Sequence, residues 1–246
     1  MSAQTLRFLA LYPDQMNIYA DRGNAIFLRR RCEWRGIGFD YAAAGPGDRF
    51  DPGEHDFIYI GGGQDRDQRA VASDMLATKR EAIAAAADDG AVVLAVCGGY
   101  QLLGHGYELG DERIEGLGLA DLETVRDPGP RLIGNVTIEV DLGTGPRVIA
   151  GFENHGGRTR LGPDAEPLGR VIKGFGNNGS DRYEGVRRQN IFGTYLHGPL
   201  LPKNAWLADH LTALALARDG GALPELEPLD DALEDAAHDA ARAAAG

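Results

Sequence analysis

The run Ala91–Gly104, AVVLAVCGGYQLLG, joins six apolar residues to a cysteine and two glycines. Six apolar residues rich in β-branched valine are too short for an independent helix and read as a buried strand. Gly98 and Gly99 then allow a sharp turn into a helix. A thiol at such a strand-to-helix elbow is lifted out at the carboxyl edge of a parallel sheet. The helix N-terminus favours its thiolate through free N–H groups and the helix dipole. That is how a cysteine nucleophile for acyl transfer is presented. A serine-type elbow reads G-x-S-x-G; here Ala95 replaces the first glycine and Gly99 keeps the last. The competing account of Cys97 is an inert buried thiol, which the two glycines make the weaker one. Cys32, beside Arg31 and Glu33 in a helical pattern, is of that inert kind.

A nucleophilic cysteine needs a base. His197, in NIFGTYLHGP, follows a strand pattern and precedes Gly198-Pro199, so it stands at a strand's end. His155, in GFENHGGRT among Glu153, Asn154 and Arg158, is the second candidate. His55 precedes a strand at the opposite edge, His105 lies on the helix after Cys97, His210 on an apolar helix and His238 in the tail. Acyl transfer also needs donors for an oxyanion. The triplet Gly61-Gly62-Gly63 closes a strand pattern and offers backbone N–H groups at a turn, and Gly98 follows the nucleophile. A tight turn alone explains the triplet equally well. None of the three lysines follows a glycine, so no G-x-x-x-x-G-K-[ST] phosphate loop exists, and CxxC and HExxH metal patterns are absent.

Those residues need a scaffold. Leu6–Tyr12, Ile37–Tyr41, Asp56–Ile60 and Ala91–Val96 read as strands. Between them lie a helix capped by Asp21 and stopped at Gly36, and another capped by Ser73 and stopped at Gly90. This rhythm predicts an α/β fold with a doubly wound, mainly parallel sheet. The second half changes character. Leu119–Val125, Leu132–Val140, Arg147–Phe152, Arg170–Phe175, Tyr183–Arg188 and Asn190–Leu196 read as strands with few helices between them, so added antiparallel strands or a small subsheet are expected. A last helix spans about Lys203–Arg218. The organisation expected is one domain over residues 1–220 and an acidic Ala/Asp/Glu-rich tail over 221–246, either disordered or a marginal helix.

Among 246 residues the formal net charge is −12, and residues 221–246 carry half of it. That balance argues against a nucleic-acid binder and a polybasic lipid anchor. No apolar run reaches the roughly 18 residues of a membrane span. The N-terminus lacks the pattern of a signal peptide, and two cysteines make no disulfide framework, so a cytoplasmic location is expected.

Cys97-Gly98-Gly99-Tyr100-Gln101, Gly61-Gly62-Gly63-Gln64-Asp65 and Tyr195-Leu196-His197-Gly198-Pro199 resemble class I glutamine amidotransferases of the cobyric-acid-synthase type. More narrowly, YPDQMNIYADRGN (Tyr12–Asn24), RLIGN (Arg131–Asn135) and GFENHGGRT (Gly151–Thr159) resemble the GatD-type subunits of lipid II isoglutaminyl synthases. The resemblance spans about residues 5–200 and implies a flavodoxin-like fold. It implies Cys97 as the nucleophile on the side-chain amide of L-glutamine, with His197 as its base and then its acid. It implies oxyanion donors near Gly62 and at Gly98, and Arg131 as a substrate-binding arginine. Many class I enzymes carry a glutamate two residues after the histidine; this chain has Pro199 there. The orienting third group is therefore open; the cobyric-type resemblance implies a Cys–His dyad, with Glu153 a distant candidate for a third group. The resemblance further implies a Mur-ligase-like partner subunit (MurT) in a heterodimer. That partner would hold ATP and Mg and amidate the D-glutamate α-carboxylate of lipid II, at the inner membrane face. No cofactor or metal is expected in this chain. A cobyric-acid-type glutaminase, a cysteine hydrolase on the same fold and a binding protein with a vestigial site are the alternatives.

Overall fold

In the computed structural model, which describes residues 4–109, 111–218 and 220–245, the first half alternates strands and helices. β1 (Thr5–Leu11) leads to α1 (Arg22–Trp34) and β2 (Gly38–Ala44). β3 (Phe57–Ile60) is followed by α2 (Asp65–Thr78) and α3 (Arg80–Asp88), and β4 (Val92–Val96) by α4 (Gly98–Leu103). The second half adds β5 (Gly106–Leu109), β6 (Glu112–Glu115), β7 (Leu122–Arg126), β8 (Leu132–Asp141) and β9 (Pro146–His155). It continues through β10 (Gly157–Leu161), β11 (Gly169–Lys173), β12 (Tyr183–Glu184), β13 (Val186–Arg188) and β14 (Ile191–Thr194) to α5 (Ala205–Leu216) and α6 (Ala232–Ala245).

The main sheet has the order β13-β14-β4-β3-β1-β2 and is parallel except for the β13–β14 pair. β3, β4 and β14 are buried along their whole lengths, which is why their sequences are apolar runs without alternation. β1 has β2 on one side and β3 on the other, so the winding reverses there and opens a crevice at the carboxyl ends of the strands. The expected antiparallel additions form two separate four-stranded sheets, β10-β7-β5-β6 and β12-β11-β8-β9. The β8–β9 hairpin turns through Gly143 and Gly145, both left-handed at φ 94° and 91°. It is tied to the chain just past β14 by an antiparallel bridge between Phe152 and His197.

Three local expectations change. The helix expected to start at Ser73 begins at Asp65 and breaks at Lys79. The Lys79 side chain is fully buried, bonded to Asp74 at 2.7 Å and set over the Tyr12 ring, and the chain turns around that anchor. The strand expected over Tyr183–Arg188 is cut by Gly185 at φ 67°, where a Cβ would meet the Gly193 carbonyl at 2.4 Å. Asp21 does not cap α1. Its side chain makes no cap bond, and Asn17 Oδ1 accepts the Arg22 N–H instead.

The acidic tail lies against the body. Arg31 of α1 has a fully buried side chain, bonded to Asp209 on α5 and to Asp231. Arg35 bonds Asp209 and the Glu227 carbonyl, His238 Nδ1 donates to the Lys203 carbonyl, and Asn135 Nδ2 donates to the Ala244 carbonyl. Truncation after Gly220 removes one of the two carboxylates around a buried guanidinium. It is expected to lower stability by about 2 kcal/mol, read as a drop in thermal midpoint. Among the described residues no tail side chain lines the cavity at Cys97, so alkylation of that thiol by iodoacetamide is expected to stay within about twofold of the full chain. Lost thiol reactivity in a folded truncate would make the tail part of the site.

Candidate active site

Cys97 sits between β4 and α4 with φ 51° and ψ −105°. A side chain rarely adopts that region, and holding it there costs of order 1–3 kcal/mol. Two anchors over-determine it. The Cys97 N–H donates to the Thr194 carbonyl at 2.8 Å, and the Gly99 N–H donates to the Gly61 carbonyl at 3.2 Å. Gly99 has no room for a side chain, since a Cβ would lie 2.7 Å from the Ile60 carbonyl. The strained turn is therefore built by β3, β4 and β14 together.

His197 follows β14 and is fully buried. Its backbone makes both bonds of the bridge to Phe152, at 2.7 and 3.2 Å. Glu184 secures the strand end by accepting the Tyr195 N–H at 2.7 Å and the Thr194 hydroxyl at 2.9 Å. Burial pushes the Glu184 carboxyl up to about 8, against those hydrogen bonds. His197 Nδ1 faces Asp21 Oδ1 at 3.3 Å, and the fully buried Asp21 also accepts the Gly62 N–H at 2.7 Å through Oδ2. Nε2 is buried and has no hydrogen-bond partner among the described residues. Burial pulls the imidazole down, but the neighbouring Cys97 sulfur and then Asp21 outweigh it and push its pKa up to about 10. A cysteine, an imidazole and an orienting carboxylate thus share one buried site.

Asp21 was legible only as a helix cap, and Pro199 supplies no carboxylate. Pro199 instead packs on α1 where Gly23 leaves space; a Cβ there would lie 2.8 Å from its ring. Glu153, the distant candidate, is spent on the backbone N–H groups of Phe175 and Gly176, at 2.7 and 2.9 Å. His155, the second candidate base, lies flat against Tyr195, with centroids 3.6 Å apart and planes at 3°. Its Nδ1 donates to the Gly157 carbonyl at 2.9 Å. It lines the cavity as a packed wall.

The expected oxyanion donors fare differently. The Gly62 N–H is given to Asp21, so it is not free for an oxyanion. The glycine triplet has another physical role. A Cβ on Gly61 would meet the Met16 carbonyl at 2.2 Å, and one on Gly63 the Met16 sulfur at 2.5 Å. A Cβ on Gly62 would meet Ile18 at 2.7 Å and His197 Cε1 at 2.8 Å. The triplet lets the Tyr12–Asp21 loop close onto β3 and deliver Asp21 to His197. Gly98 opens α4, and its N–H finds no acceptor among the described residues.

A cavity of about 600 Å³ opens over Cys97, lined among others by Gly63, Gln68, Gln101, Arg126, Arg131 and His155. Behind its wall a buried chain runs from Gln101 Nε2 to Tyr195 Oη at 3.2 Å and on to Thr159 and Thr124. Arg131 is exposed at the cavity's rim. Its Nε and Nη2 donate to Asn154 Oδ1 and to the Asn154 carbonyl, both at 2.8 Å. Gln68 and Gln101 are functional candidates that sequence reasoning did not single out.

The CobB/CobQ-like glutamine amidotransferase domain model matches residues 8–205. The chain is 40% identical over 229 residues to the lipid II isoglutaminyl synthase (glutamine-hydrolyzing) subunit GatD of Streptococcus pneumoniae, covering 93% of this chain and 87% of that protein. It is 43% identical over 209 residues to the subunit of the same name from Staphylococcus aureus, covering 84% and 83%. Among solved structures, PurLQS from Thermotoga maritima shares the fold at TM-score 0.56 and 22% identity, over 89% of this chain and 97% of that one. A buried Cys97 elbow beside His197 and a domain match over most of the length agree: the chain belongs to the CobB/CobQ-like glutamine amidotransferase family.

Proposed function

We propose that this chain is the glutamine-hydrolysing subunit of a lipid II isoglutaminyl synthase, supplying ammonia for amidation of lipid II. The observation that carries the reading is the Cys97 elbow beside a buried His197 held by Asp21, in a chain similar along most of its length to two subunits of that name. Glutamine enters the cavity with its α-carboxylate on Arg131, whose planar fork suits a carboxylate. The Cys97 sulfur attacks the side-chain carbonyl carbon, and the Gly98 N–H receives the developing oxyanion. Gly63 lines the cavity one residue beyond the spent Gly62, and its N–H is the second donor. His197 gives its proton to the leaving nitrogen, ammonia departs, and a thioester remains on Cys97. The neutral imidazole then takes a proton from water, the hydroxide opens the thioester, and glutamate leaves.

Asp21 holds the imidazole with Nδ1 towards the carboxylate and Nε2 towards the sulfur. Gly62→Ala pushes a methyl into that arrangement and is expected to lower kcat for glutamine by about 100-fold in a protein that still folds. Wild-type turnover would show that the His197 ring tolerates the intrusion.

The ammonia is consumed by an ATP-dependent Mur-ligase-like subunit in a heterodimer, where ATP and Mg activate the D-glutamate α-carboxylate. No helix among the described residues is long and apolar enough to cross a membrane. The chain works in the cytoplasm and meets the inner membrane face through that lipid-linked substrate. The decisive experiment uses glutamine labelled with nitrogen-15 in its side-chain amide, the purified heterodimer, ATP and lipid II. Label is expected in lipid II by mass spectrometry. Absence of both label transfer and glutamate release would overturn the reading.

A further inference from the structure

Tyr19 is unusual in three independent ways. Its backbone (φ 53°, ψ 34°) and that of Ala20 (φ 61°) are both left-handed, adjacent to each other and without a glycine. Such residues occur singly in turns, and each costs of order 1–2 kcal/mol. Burial does not explain the strain, because the Tyr19 side chain is 42% exposed. Its ring stands edge-on to two partners, His197 at 5.1 Å between centroids and Phe152 at 6.0 Å. Phe152 is the residue that pins the His197 backbone. The Tyr19 hydroxyl accepts the Asn154 Nδ2–H at 2.5 Å, and Asn154 accepts both the Nε and Nη2 donors of Arg131.

These contacts form one short chain from the rim of the cavity to the catalytic imidazole: Arg131, Asn154, Tyr19, His197. Two donors of the Arg131 fork are already given to Asn154. A carboxylate arriving at Arg131 competes for them or draws the fork towards Nη1. Either event changes what Asn154 can offer Tyr19. The segment that must respond is the strained one, and it ends on Asp21, the carboxylate that orients His197. Strain held at such a place by its surroundings is a reserve that a small local change can tip.

We propose that Tyr19 is a positioning residue that couples the substrate carboxylate at Arg131 to the orientation of His197. This rests on the reading of Arg131 as the carboxylate site. Coupling of this kind is measured between residues, so the test is a cycle. Two reagents probe Cys97 in the purified chain and its heterodimer. One is a diazo-ketone analogue of glutamine, which carries the carboxylate. The other is iodoacetamide, which does not. Tyr19→Phe removes the hydroxyl and keeps the ring. It is expected to slow inactivation by the analogue, and kcat for glutamine, by about tenfold. Alkylation by iodoacetamide and the thermal midpoint are expected to stay at wild-type values. In an Arg131→Lys background the same substitution is expected to change the analogue rate by less than about twofold. Asn154→Ala cuts the chain at its middle and is expected to reproduce Tyr19→Phe.

An analogue rate that Tyr19→Phe leaves unchanged overturns the proposal. So does an equal slowing of both reagents that persists in the Arg131→Lys background, because that is the mark of simple packing. A wild-type chain that the analogue does not label at all would instead overturn the glutaminase reading, and the two failures are thereby separable.

Discussion

Cys97→Ala and Cys97→Gly are both expected to lower glutamine hydrolysis by roughly 10,000-fold or more, yet to differ in stability. The sulfur is the atom that carries the glutamyl group, so neither variant forms the thioester. Amidation fed by free ammonium is expected to survive in the heterodimer, since that route bypasses Cys97. The difference between the variants comes from the backbone. At φ 51° and ψ −105° the residue lies where a Cβ crowds the neighbouring backbone. Alanine keeps that Cβ and its strain, whereas glycine sheds it. The glycine variant is therefore expected to be more stable than the alanine variant by about 1 kcal/mol, although glycine elsewhere is usually the destabilising choice. Chemical denaturation measures this. An alanine variant at least as stable as the glycine one would show that the elbow is relaxed, and that its conformation is not held against a cost. Ammonia release by either variant would remove Cys97 from the mechanism.

The nucleophile and its partner were legible because each lies just past a short, largely apolar strand, VVLAV before Cys97 and IFGT before His197. Val92–Val96 and Ile191–Thr194 are buried on every residue, and each has a sheet neighbour on both sides, so no polar face disguises them. Both strands end on the same edge of the sheet, so strand ends alone bring Cys97 and His197 together. Asp21 was not legible in the same way. An aspartate ahead of a helical pattern has a complete local explanation as a cap. Only the closing of the Tyr12–Asp21 loop onto β3 gives its carboxylate to a histidine 176 residues away. The glycine triplet misled for a related reason. Free N–H groups are a local property, whereas the carbonyl, sulfur and imidazole that crowd Gly61, Gly63 and Gly62 come from distant segments. The second half was legible as strands but not as two sheets. The division depends on pairings such as the parallel contact of Gly106–Tyr107 with Glu123–Thr124, which leave no periodic trace in either strand.

Asp21→Asn tests whether that distant carboxylate is an orienting group or a loop anchor. Aspartate uses one oxygen for the Gly62 N–H and the other for His197 Nδ1. Asparagine has a single oxygen. If it keeps the Gly62 bond, its amide nitrogen faces Nδ1, and the neutral imidazole must place its proton on Nε2, towards the sulfur. That is the wrong tautomer for accepting a proton from water, and kcat is expected to fall by roughly 100- to 10,000-fold. The pH dependence should move as well. Cys97 and Asp21 together raise the His197 pKa to about 10 against the pull of burial. Removing the Asp21 charge takes away part of that support, so the alkaline limb of kcat/KM should move to lower pH. The same linkage fixes the sign for stability. A histidine whose folded pKa lies above its unfolded value of about 6.5 contributes fully below that pH. The contribution is lost as pH rises from there through about 10. The asparagine variant should therefore be destabilised at neutral pH, and its stability should depend less on pH across that window. A variant that keeps its kcat and its alkaline limb would make Asp21 an anchor for Gly62 alone and return the site to a Cys97–His197 dyad. Tyr19 would then have no carboxylate to move, and its effect on the glutamine analogue should vanish in the same background.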